Sequence, residues 1–324
     1  MNTKLRKVAA VFFDDAPAYD YRALMLDPAR HFLPVDYVKF YIDQMVKFKY
    51  NTLQILKDST FVFGKTDNVM LSAANPKVYE VLDDVFREVS DIFPSKTIHL
   101  GGDESAIDRN WAKSPENLQL MKKNGYTQPE QLMNIFFGNV LSSVKKYGME
   151  AILWCELDNI RMPANDFLFD YPQDVTLVTW RMGLTPKCIE LTAKSGNTLI
   201  LAPGEFAYLD YPQYKNDLPE FLNWGMPITT LRKTYDFDPT YNLPENQRTH
   251  IAGVMETLWG EAIKDIHRAN YMTWPRGLAL SEAGWTKKEN RSWESFKKRL
   301  YPNLSELMKQ GVSLRVPYEI EWEK

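Results

Sequence analysis

The chain has 324 residues, with 39 basic and 42 acidic side chains and a net charge of −3. The charges are mixed without a basic stripe, which disfavours nucleic acid as a partner, and no apolar run reaches the roughly 18 residues of a membrane span. The two cysteines define no disulfide framework. Since a (β/α) barrel typically takes about 250 residues, this length predicts one barrel domain over residues 1–324.

Near the start of the chain, an apolar run at residues 8–13 follows basic residues and is similar to the core of a signal peptide. The run is too short for that role, and Asp14 and Asp15 end it without a small-residue cleavage site. We interpret it as a short opening strand, and the sequence leaves the compartment open.

Strands and helices alternate along the rest of the chain. Apolar runs predict strands at residues 23–27, 51–56, 97–101, 151–156, 175–180, 197–202 and 251–259. Helical spacing predicts helices at residues 34–49, 76–93, 129–147, 186–194, 262–280 and 293–310. In the second helix, the residues predicted to face inward are Val78, Val81, Leu82, Val85, Val89 and Ile92. This alternation predicts an α/β fold, a TIM-type (β/α) barrel that is incomplete or irregular, with about seven recognisable strands.

The third predicted strand ends in Gly101, Gly102, Asp103 and Glu104. Glycine allows a tight turn or the close approach of a ligand, and a parallel barrel carries its chemistry at the C-terminal ends of its strands. In an enclosed site, two carboxylates can be divided by their surroundings into an acid and an anion. Taken alone, the same four residues also fit an ordinary surface turn.

Acids and tryptophans recur at the ends of other predicted strands. They are Asp27, Trp154, Glu156, Trp180, Trp259 and Glu261. Flat aromatic rings suit the C–H faces of a sugar, while acids and arginines bind its hydroxyls. This composition therefore indicates a saccharide pocket at the C-terminal face of the barrel.

At these residues the chain resembles the family 20 glycoside hydrolases, the β-N-acetylhexosaminidases. The resemblance runs from about residue 15 to residue 285. Residues 21–31 are similar to the family's opening strand motif, and residues 99–104 to its catalytic motif, which is usually HIGGDE. The later pocket motifs correspond to residues 153–156, 208–211 and 258–261. Because all five motifs occur in the family's order, the resemblance is specific.

The resemblance implies a retaining exo-β-N-acetylhexosaminidase that removes terminal GlcNAc or GalNAc from oligosaccharides or glycoconjugates, with no metal and no cofactor. The substrate's own acetamido group would act as the nucleophile. Asp103 would orient that group, and Glu104 would be the general acid and then the base. The implied substrate-binding residues are Arg22 for the 3- and 4-hydroxyls, Trp154, Trp180 and Trp259 for the walls, Tyr208 for the acetamido oxygen, and Asp210 and Glu261 for outer hydroxyls.

Structural roles remain open for several of these positions. His99 lies inside a strand and is expected to be a hydrogen-bonded core histidine, since four histidines in the chain make a complete metal ligand set hard to assemble. Asp27 and Arg30 fit a structural pair at the barrel rim, and Arg22 fits a surface ion pair. Cys155 is expected to be a buried small hydrophobe.

The chain departs from the family after the second strand. Of the usual His-Leu-Thr-Asp-Asp motif only Asp58 survives, and residues 59–75 contain no third strand and helix and no Pro-Gly-His motif. From this sequence we also expect no N-terminal accessory domain of the usual kind. Because the lost histidine would help to position the acid, two functions stay open, a hexosaminidase and a non-catalytic glycan-binding barrel.

The missing unit also affects the predicted architecture. The second and third strands could pair directly, or the barrel could remain open between them. We favour an open or irregular barrel in which residues 59–64 or a second copy of the chain, in a homodimer, covers the gap.

Overall fold

The computed structural model describes residues 15–56, 70–217, 223 and 225–318. Three sequence features therefore lie outside the described residues: the predicted opening strand at residues 8–13, Asp58, and the segment at residues 59–64.

Seven parallel strands form one curled sheet in the described chain. They are β1 (Tyr21–Leu26), β2 (Thr52–Ile55), β3 (Thr97–His99), β4 (Glu150–Trp154), β5 (Thr176–Thr179), β6 (Leu199–Leu201) and β7 (Ile251–Leu258). Their order in the sheet is β2-β1-β7-β6-β5-β4-β3. Leu26 of β1 lies opposite Ile55 on one side and Leu258 on the other. The prediction of an incomplete (β/α) barrel with seven strands is confirmed.

The sheet is open between β2 and β3. These strands form its two ends, and among the described residues they do not pair with each other. Direct closure into a seven-stranded barrel, the alternative considered from the sequence, does not occur there. The free ends adjoin the position at which the sequence lacks a βα unit.

Ten α-helices connect the strands or cover the sheet in the described chain. They are α1 (Val35–Lys47), α2 (Pro76–Ile92), α3 (Pro115–Lys123), α4 (Leu132–Lys146), α5 (Thr185–Ser195), α6 (Gly204–Ala207), α7 (Leu231–Tyr235), α8 (Ile266–Thr273), α9 (Arg276–Trp285) and α10 (Trp293–Lys309). The helix predicted over residues 262–280 is divided because Pro275 has no N–H to continue the hydrogen-bond ladder. None of the described helices has the length and apolar composition needed to cross a membrane.

The two faces of the sheet are packed differently. The barrel interior contains a cluster of buried apolar side chains that includes Ala23, Val178 and Met255. On the opposite face of β7, Glu256 is fully buried beneath α9, where the hydroxyl of Tyr50 donates a hydrogen bond to it at 2.9 Å. Trp154, Trp180 and Trp259 belong to or pack against the interior cluster at the C-terminal ends of their strands, and Tyr21 packs against it at the start of β1.

Helix α2 differs from its predicted orientation. Three of the residues expected to face inward, Val81, Val85 and Ile92, are 52%, 45% and 67% exposed, and Phe86 is the buried residue of this helix. On α1, Val46 is 70% exposed. The inward prediction was wrong for these three residues because it rested on helical spacing alone, which does not show whether a neighbouring element covers the apolar face.

Candidate active site

A two-glycine turn after β3 presents Asp103 and Glu104 at the C-terminal edge of the sheet. Gly101 and Gly102 have φ angles of +76° and +96°, which favour glycine. An added Cβ at Gly102 would lie 3.2 Å from the Cζ of Phe137, so the turn also needs glycine for space. Glu104 itself has a φ of +47°, a strained conformation that is common at functional sites.

The two adjacent carboxylates have different environments. The side chain of Glu104 is 58% exposed, whereas Asp103 is partly buried. Burial raises the pKa of Asp103 to about 6, and the charge of Glu104 adds to the rise while Arg181 and Arg30 oppose it. Asp103 is therefore an anion at neutral pH and becomes neutral when the pH falls below about 6.

Four aromatic side chains form a connected wall beside these carboxylates. The ring centroid of Trp154 lies 6.4 Å from that of Trp180 and 5.9 Å from that of Trp259. The ring of Trp259 lies 6.3 Å from that of Tyr208. Burial raises the pKa of Tyr208 well above its ordinary value, and nearby charges that include Asp103 add to the rise. The structure thus brings these four predicted residues together, and Tyr208 stays a protonated donor.

Two predicted acids complete one side of the pocket. Oδ1 of Asp210 accepts a hydrogen bond from the backbone N–H of Trp259 at 3.3 Å. Burial raises the pKa of Asp210 to about 8, and the charge of Glu261 adds to that rise. Burial also raises the pKa of Glu261, against the opposing charge of Arg30. These acids lie beside the aromatic wall, where they can exchange hydrogen bonds with hydroxyl groups.

Arg22 lies apart from this group. It is the second residue of β1, and its guanidinium donates to the backbone carbonyls of Lys49 at 2.8 Å and Tyr19 at 2.5 Å. A strand rises about 3.3 Å per residue, which places Arg22 roughly 16 Å from Asp27 at the other end of the strand. The structure therefore does not place Arg22 where the sequence interpretation required it, and the surface-pair alternative is also wrong because Arg22 is buried.

Arg30 is the arginine at the pocket end of β1. Its Nη1 lies 2.5 Å from Oδ2 of Asp27, so the predicted rim pair is confirmed. Its Nε lies 3.2 Å from Oε1 of Glu261, and its guanidinium carbon lies 5.2 Å from the ring centroid of Trp259. The sequence signal for this position is an arginine three residues after the acid that ends the strand.

A second arginine, Arg181, was not singled out from the sequence. Its guanidinium stacks over the indole of Trp180, 4.1 Å from the ring centroid. Its Nη2 lies 3.1 Å from Oε2 of Glu156, and its Nη1 lies 3.7 Å from Oε1 of Glu104. Burial raises the pKa of Glu156 to about 7, and Arg181 opposes the rise. Arg181 therefore connects a buried carboxylate to an exposed one at the pocket mouth.

His99 lies at the end of β3, directly before the two-glycine turn. Its Nδ1 accepts a hydrogen bond from the backbone N–H of Gly101 at 3.0 Å, and its ring lies 4.7 Å from that of Trp154. Burial lowers the pKa of His99 to about 3, so the ring is neutral. The prediction of a hydrogen-bonded core histidine is confirmed. In the described part of the chain, no group of three or more His, Cys, Asp or Glu side chains is arranged to hold a metal ion.

Comparison with known proteins identifies the relatives of this chain. The profile of glycosyl hydrolase family 20, catalytic domain, matches residues 19–63 and 56–288. A β-hexosaminidase of Akkermansia muciniphila is 29% identical over 391 aligned residues, which cover 95% of this chain and 76% of that protein. A β-hexosaminidase of Vibrio furnissii is 33% identical over 221 residues, which cover 67% of this chain but only 34% of that protein.

Solved structures share the same barrel. A family 20 exo-β-N-acetylglucosaminidase of Vibrio harveyi, solved with N-acetylglucosamine, aligns with a TM-score of 0.79 at 23% identity, over 94% of this chain and 60% of that one. A crystal structure of a β-N-acetylhexosaminidase aligns with a TM-score of 0.79 at 27% identity, over 95% of this chain and 81% of that one. The alignment with the Vibrio harveyi structure shows the fold. The match to the family 20 profile covers most of the chain. The chain therefore belongs to glycosyl hydrolase family 20.

Proposed function

We propose that this domain is a retaining exo-β-N-acetylhexosaminidase that releases terminal GlcNAc or GalNAc from oligosaccharides and glycoconjugates. The contrast between Asp103 and Glu104 gives the main support. The more enclosed carboxylate faces the aromatic wall, where it can act on a group at C2 of a bound sugar. The exposed carboxylate lies at the mouth, where the bond to the leaving group would be broken.

The proposed reaction uses the substrate's own amide. The acetamido oxygen attacks the anomeric carbon, the bond to the leaving oxygen breaks, and Glu104 gives that oxygen its proton. The anionic carboxylate of Asp103 accepts the amide N–H and stabilises the positive charge of the oxazolinium. Glu104, now an anion, removes a proton from the water that opens this ring, and the anomeric configuration is retained.

The surrounding residues support the binding of one terminal sugar. Trp154, Trp180 and Trp259 would enclose the ring and its N-acetyl group, and Tyr208 would donate to the acetamido oxygen. For the outer hydroxyls we propose Asp210 and Glu261 together with Arg30. Arg30 takes the place of Arg22 because its guanidinium lies beside Trp259 and Glu261.

The variant Glu104→Gln tests this assignment on an unactivated N-acetylhexosamine disaccharide. Loss of a general acid is typically worth about 10²–10⁴ in rate, and a thiazoline mimic of the oxazolinium should still bind tightly. The control is Glu190→Gln on α5, a surface glutamate paired with lysines. A glucoside with a 2-hydroxyl in place of the acetamido group should be a very poor substrate. A covalent 2-fluoroglycosyl adduct on any carboxylate would contradict the proposed mechanism.

A non-catalytic glycan-binding barrel is the second candidate function. One observation favours it, since the usual His-Leu-Thr-Asp-Asp motif is reduced to Asp58, and the missing histidine would help to position the acid. This candidate predicts that the unmodified chain binds GlcNAc oligosaccharides and leaves a chromogenic β-GlcNAc substrate intact. Turnover that is lost in Glu104→Gln eliminates it.

We also propose that a second copy of the chain covers the open side of the barrel. The support is the exposed apolar surface of α2, where Val85 is 45% and Ile92 is 67% exposed, beside two strand edges left unpaired in the described chain. Sedimentation should show a dimer that Val85→Glu dissociates. The matched control is Ile160→Glu, since Ile160 is 58% exposed on a loop. A monomeric unmodified chain would rule the proposal out.

A further inference from the structure

We propose that Arg181 is a positioning residue shared between Glu156 and Glu104, so that the charge on Glu156 sets how strongly Glu104 holds its proton. This inference rests on the role proposed for Glu104 as general acid and base. It makes the proposed reaction depend on Arg181 and Glu156, although neither side chain is placed in contact with the sugar.

The geometry fixes Arg181 in one orientation. The Nε and Nη2 atoms of Arg181 lie 3.4 Å and 3.1 Å from Oε2 of Glu156. The other carboxylate oxygen of Glu156 accepts the indole N–H of Trp180 at 2.8 Å, and Arg181 stacks on that same indole. With two of its nitrogens used in this way, the guanidinium directs Nη1 at Oε1 of Glu104, 3.7 Å away.

Glu156 provides a rigid base for this arrangement. It is 3% exposed, and its backbone N–H donates at 2.9 Å to the hydroxyl of Tyr171, which in turn donates to the carbonyl of Trp154 at 2.9 Å. Because burial raises the pKa of Glu156 to about 7, its carboxyl group can gain or lose a proton near neutral pH. Glu104, at the opposite side of the guanidinium, is open to solvent and to substrate.

The other titratable groups around the two glutamates set the background. Glu104 is faced by Asp103 from its own turn, by Tyr211 from the segment after α6, and by Glu261 from the segment after β7. Glu156 is faced by Asp103 as well, and by its neighbours Cys155 and Tyr171. All of these groups are neutral or acidic, so Arg181 is the cation that directly contacts both glutamates in the described chain.

Two charge states follow from this arrangement. When Glu156 is an anion, it neutralises much of the charge of Arg181, which then attracts the carboxylate of Glu104 only weakly. When Glu156 is protonated, the full charge of Arg181 acts on Glu104. A proton on one glutamate therefore disfavours a proton on the other. Only O–H bonds change in this exchange, and the proton comes from or returns to water.

The test compares Arg181→Met with Glu156→Gln in the whole chain. The first variant removes the cation, so the basic limb of the pH profile of kcat/KM should move to higher pH by about one unit. The second removes the competing anion, so the same limb should move to lower pH. In Arg181→Lys the basic limb should lie closer to its position in the unmodified chain than in Arg181→Met, because lysine keeps the positive charge. The matched control is Arg232→Met, since Arg232 of α7 stacks over Trp293 and pairs with Asp236.

If Arg181 and Glu156 were only structural, both variants would be slower, but the basic limbs of their pH profiles would not move in opposite directions. Shifts in the same direction, or no shift in either, overturn the proposal. A carbon-13 NMR titration of the Glu104 carboxyl, assigned by its loss in Glu104→Gln, measures the same coupling without turnover. If the unmodified chain hydrolyses no β-GlcNAc substrate, the proposed function fails, and opposite shifts of this carboxyl signal still support the shared arginine. If Arg181→Met does not fold, Arg181→Lys and Glu156→Gln supply the comparison.

Discussion

The Nε of Arg30 lies 3.2 Å from Oε1 of Glu261, and this ion pair joins the segment after β1 to the segment after β7. Asp27 holds the other side of the same guanidinium at 2.5 Å. Arg30 is therefore fixed between two carboxylates beside the ring of Trp259 before any ligand arrives. This fixed orientation lowers the entropy that binding must remove.

Exchanging each of two arginines for methionine separates their roles. Arg30→Met should lower kcat/KM by about 10- to 100-fold, since hydrogen bonds to charged groups contribute roughly 1.5–3 kcal/mol. Arg22→Met should instead lower the melting temperature and leave KM unchanged, because Arg22 bonds to backbone carbonyls at the far end of β1. Steady-state kinetics and thermal unfolding of both variants decide the matter. A rise in KM for Arg22→Met equal to that for Arg30→Met would restore the role first assigned to Arg22.

The acidic limb of the pH profile should report Asp103. The raised pKa of about 6 means that the carboxyl is neutral below that pH and cannot stabilise the oxazolinium. Activity should therefore fall as the pH drops through 6. Asp103→Asn should remove this limb and lower kcat by roughly 10²–10³-fold. A rate for the unmodified domain that stays constant between pH 4 and pH 7 would exclude Asp103 as the titrating group.

The glycine turn gives a stability prediction with an internal control. Gly102→Ala should destabilise the domain by about 1–3 kcal/mol, because the new Cβ would crowd Phe137 and the φ angle disfavours alanine. Gly138→Ala on α4 meets open space and should stabilise by roughly 0.5–1 kcal/mol. Urea unfolding measures both changes. Gly102→Ala should also reduce activity, and an unchanged midpoint with full turnover would show that the turn tolerates a side chain.

Buried Glu256 makes stability depend on pH. Burial raises the pKa of Glu256 from its ordinary 4.5 to about 8, so the folded chain binds more protons than the unfolded chain between these values. This contribution is fully present below pH 4.5 and is lost as the pH rises through 8. In Glu256→Gln the unfolding free energy should fall less steeply as the pH rises, and the slope should differ from that of the unmodified chain by at most about 1.4 kcal/mol for each pH unit. Denaturant titrations between pH 5 and pH 8 should give a shallower slope for the variant, and parallel slopes would refute the assignment.

The strand-end rule predicted most of the site because the ends of parallel strands share one edge of the sheet. It located Trp154, Trp180 and Trp259 in one wall without knowledge of their distances. The same rule argues against Arg22, since a residue at the start of a strand lies at the N-terminal end of the barrel. The error came from treating the whole motif at residues 21–31 as one location.

Other contacts depend on geometry that no local pattern contains. The approach of Arg181 to Glu104 joins the segments after β5 and β3, which have β4 between them. The distance between Arg181 and Glu104 depends on the twist of the sheet and on the strained turn at Glu104. The exposure of one side of α2 could not be predicted from the sequence either, because helical spacing identifies an apolar face but not what covers it.

The open sheet also has a mechanical consequence for ligand binding. Arg30 stands near one end of the arc of strands and Asp103 at the other, and four strands separate β1 from β3 in the sheet order. In a closed barrel, hydrogen-bonded strands would connect Arg30 to Asp103 in both directions around the ring and fix the distance between them. In the described chain the strands connect them in one direction only. Small changes in the twist between neighbouring strands therefore add up to a larger change in this distance. A sugar that contacts both Arg30 and Asp103 should connect the two ends of the sheet, and we expect its binding to slow hydrogen exchange in β2 and β3.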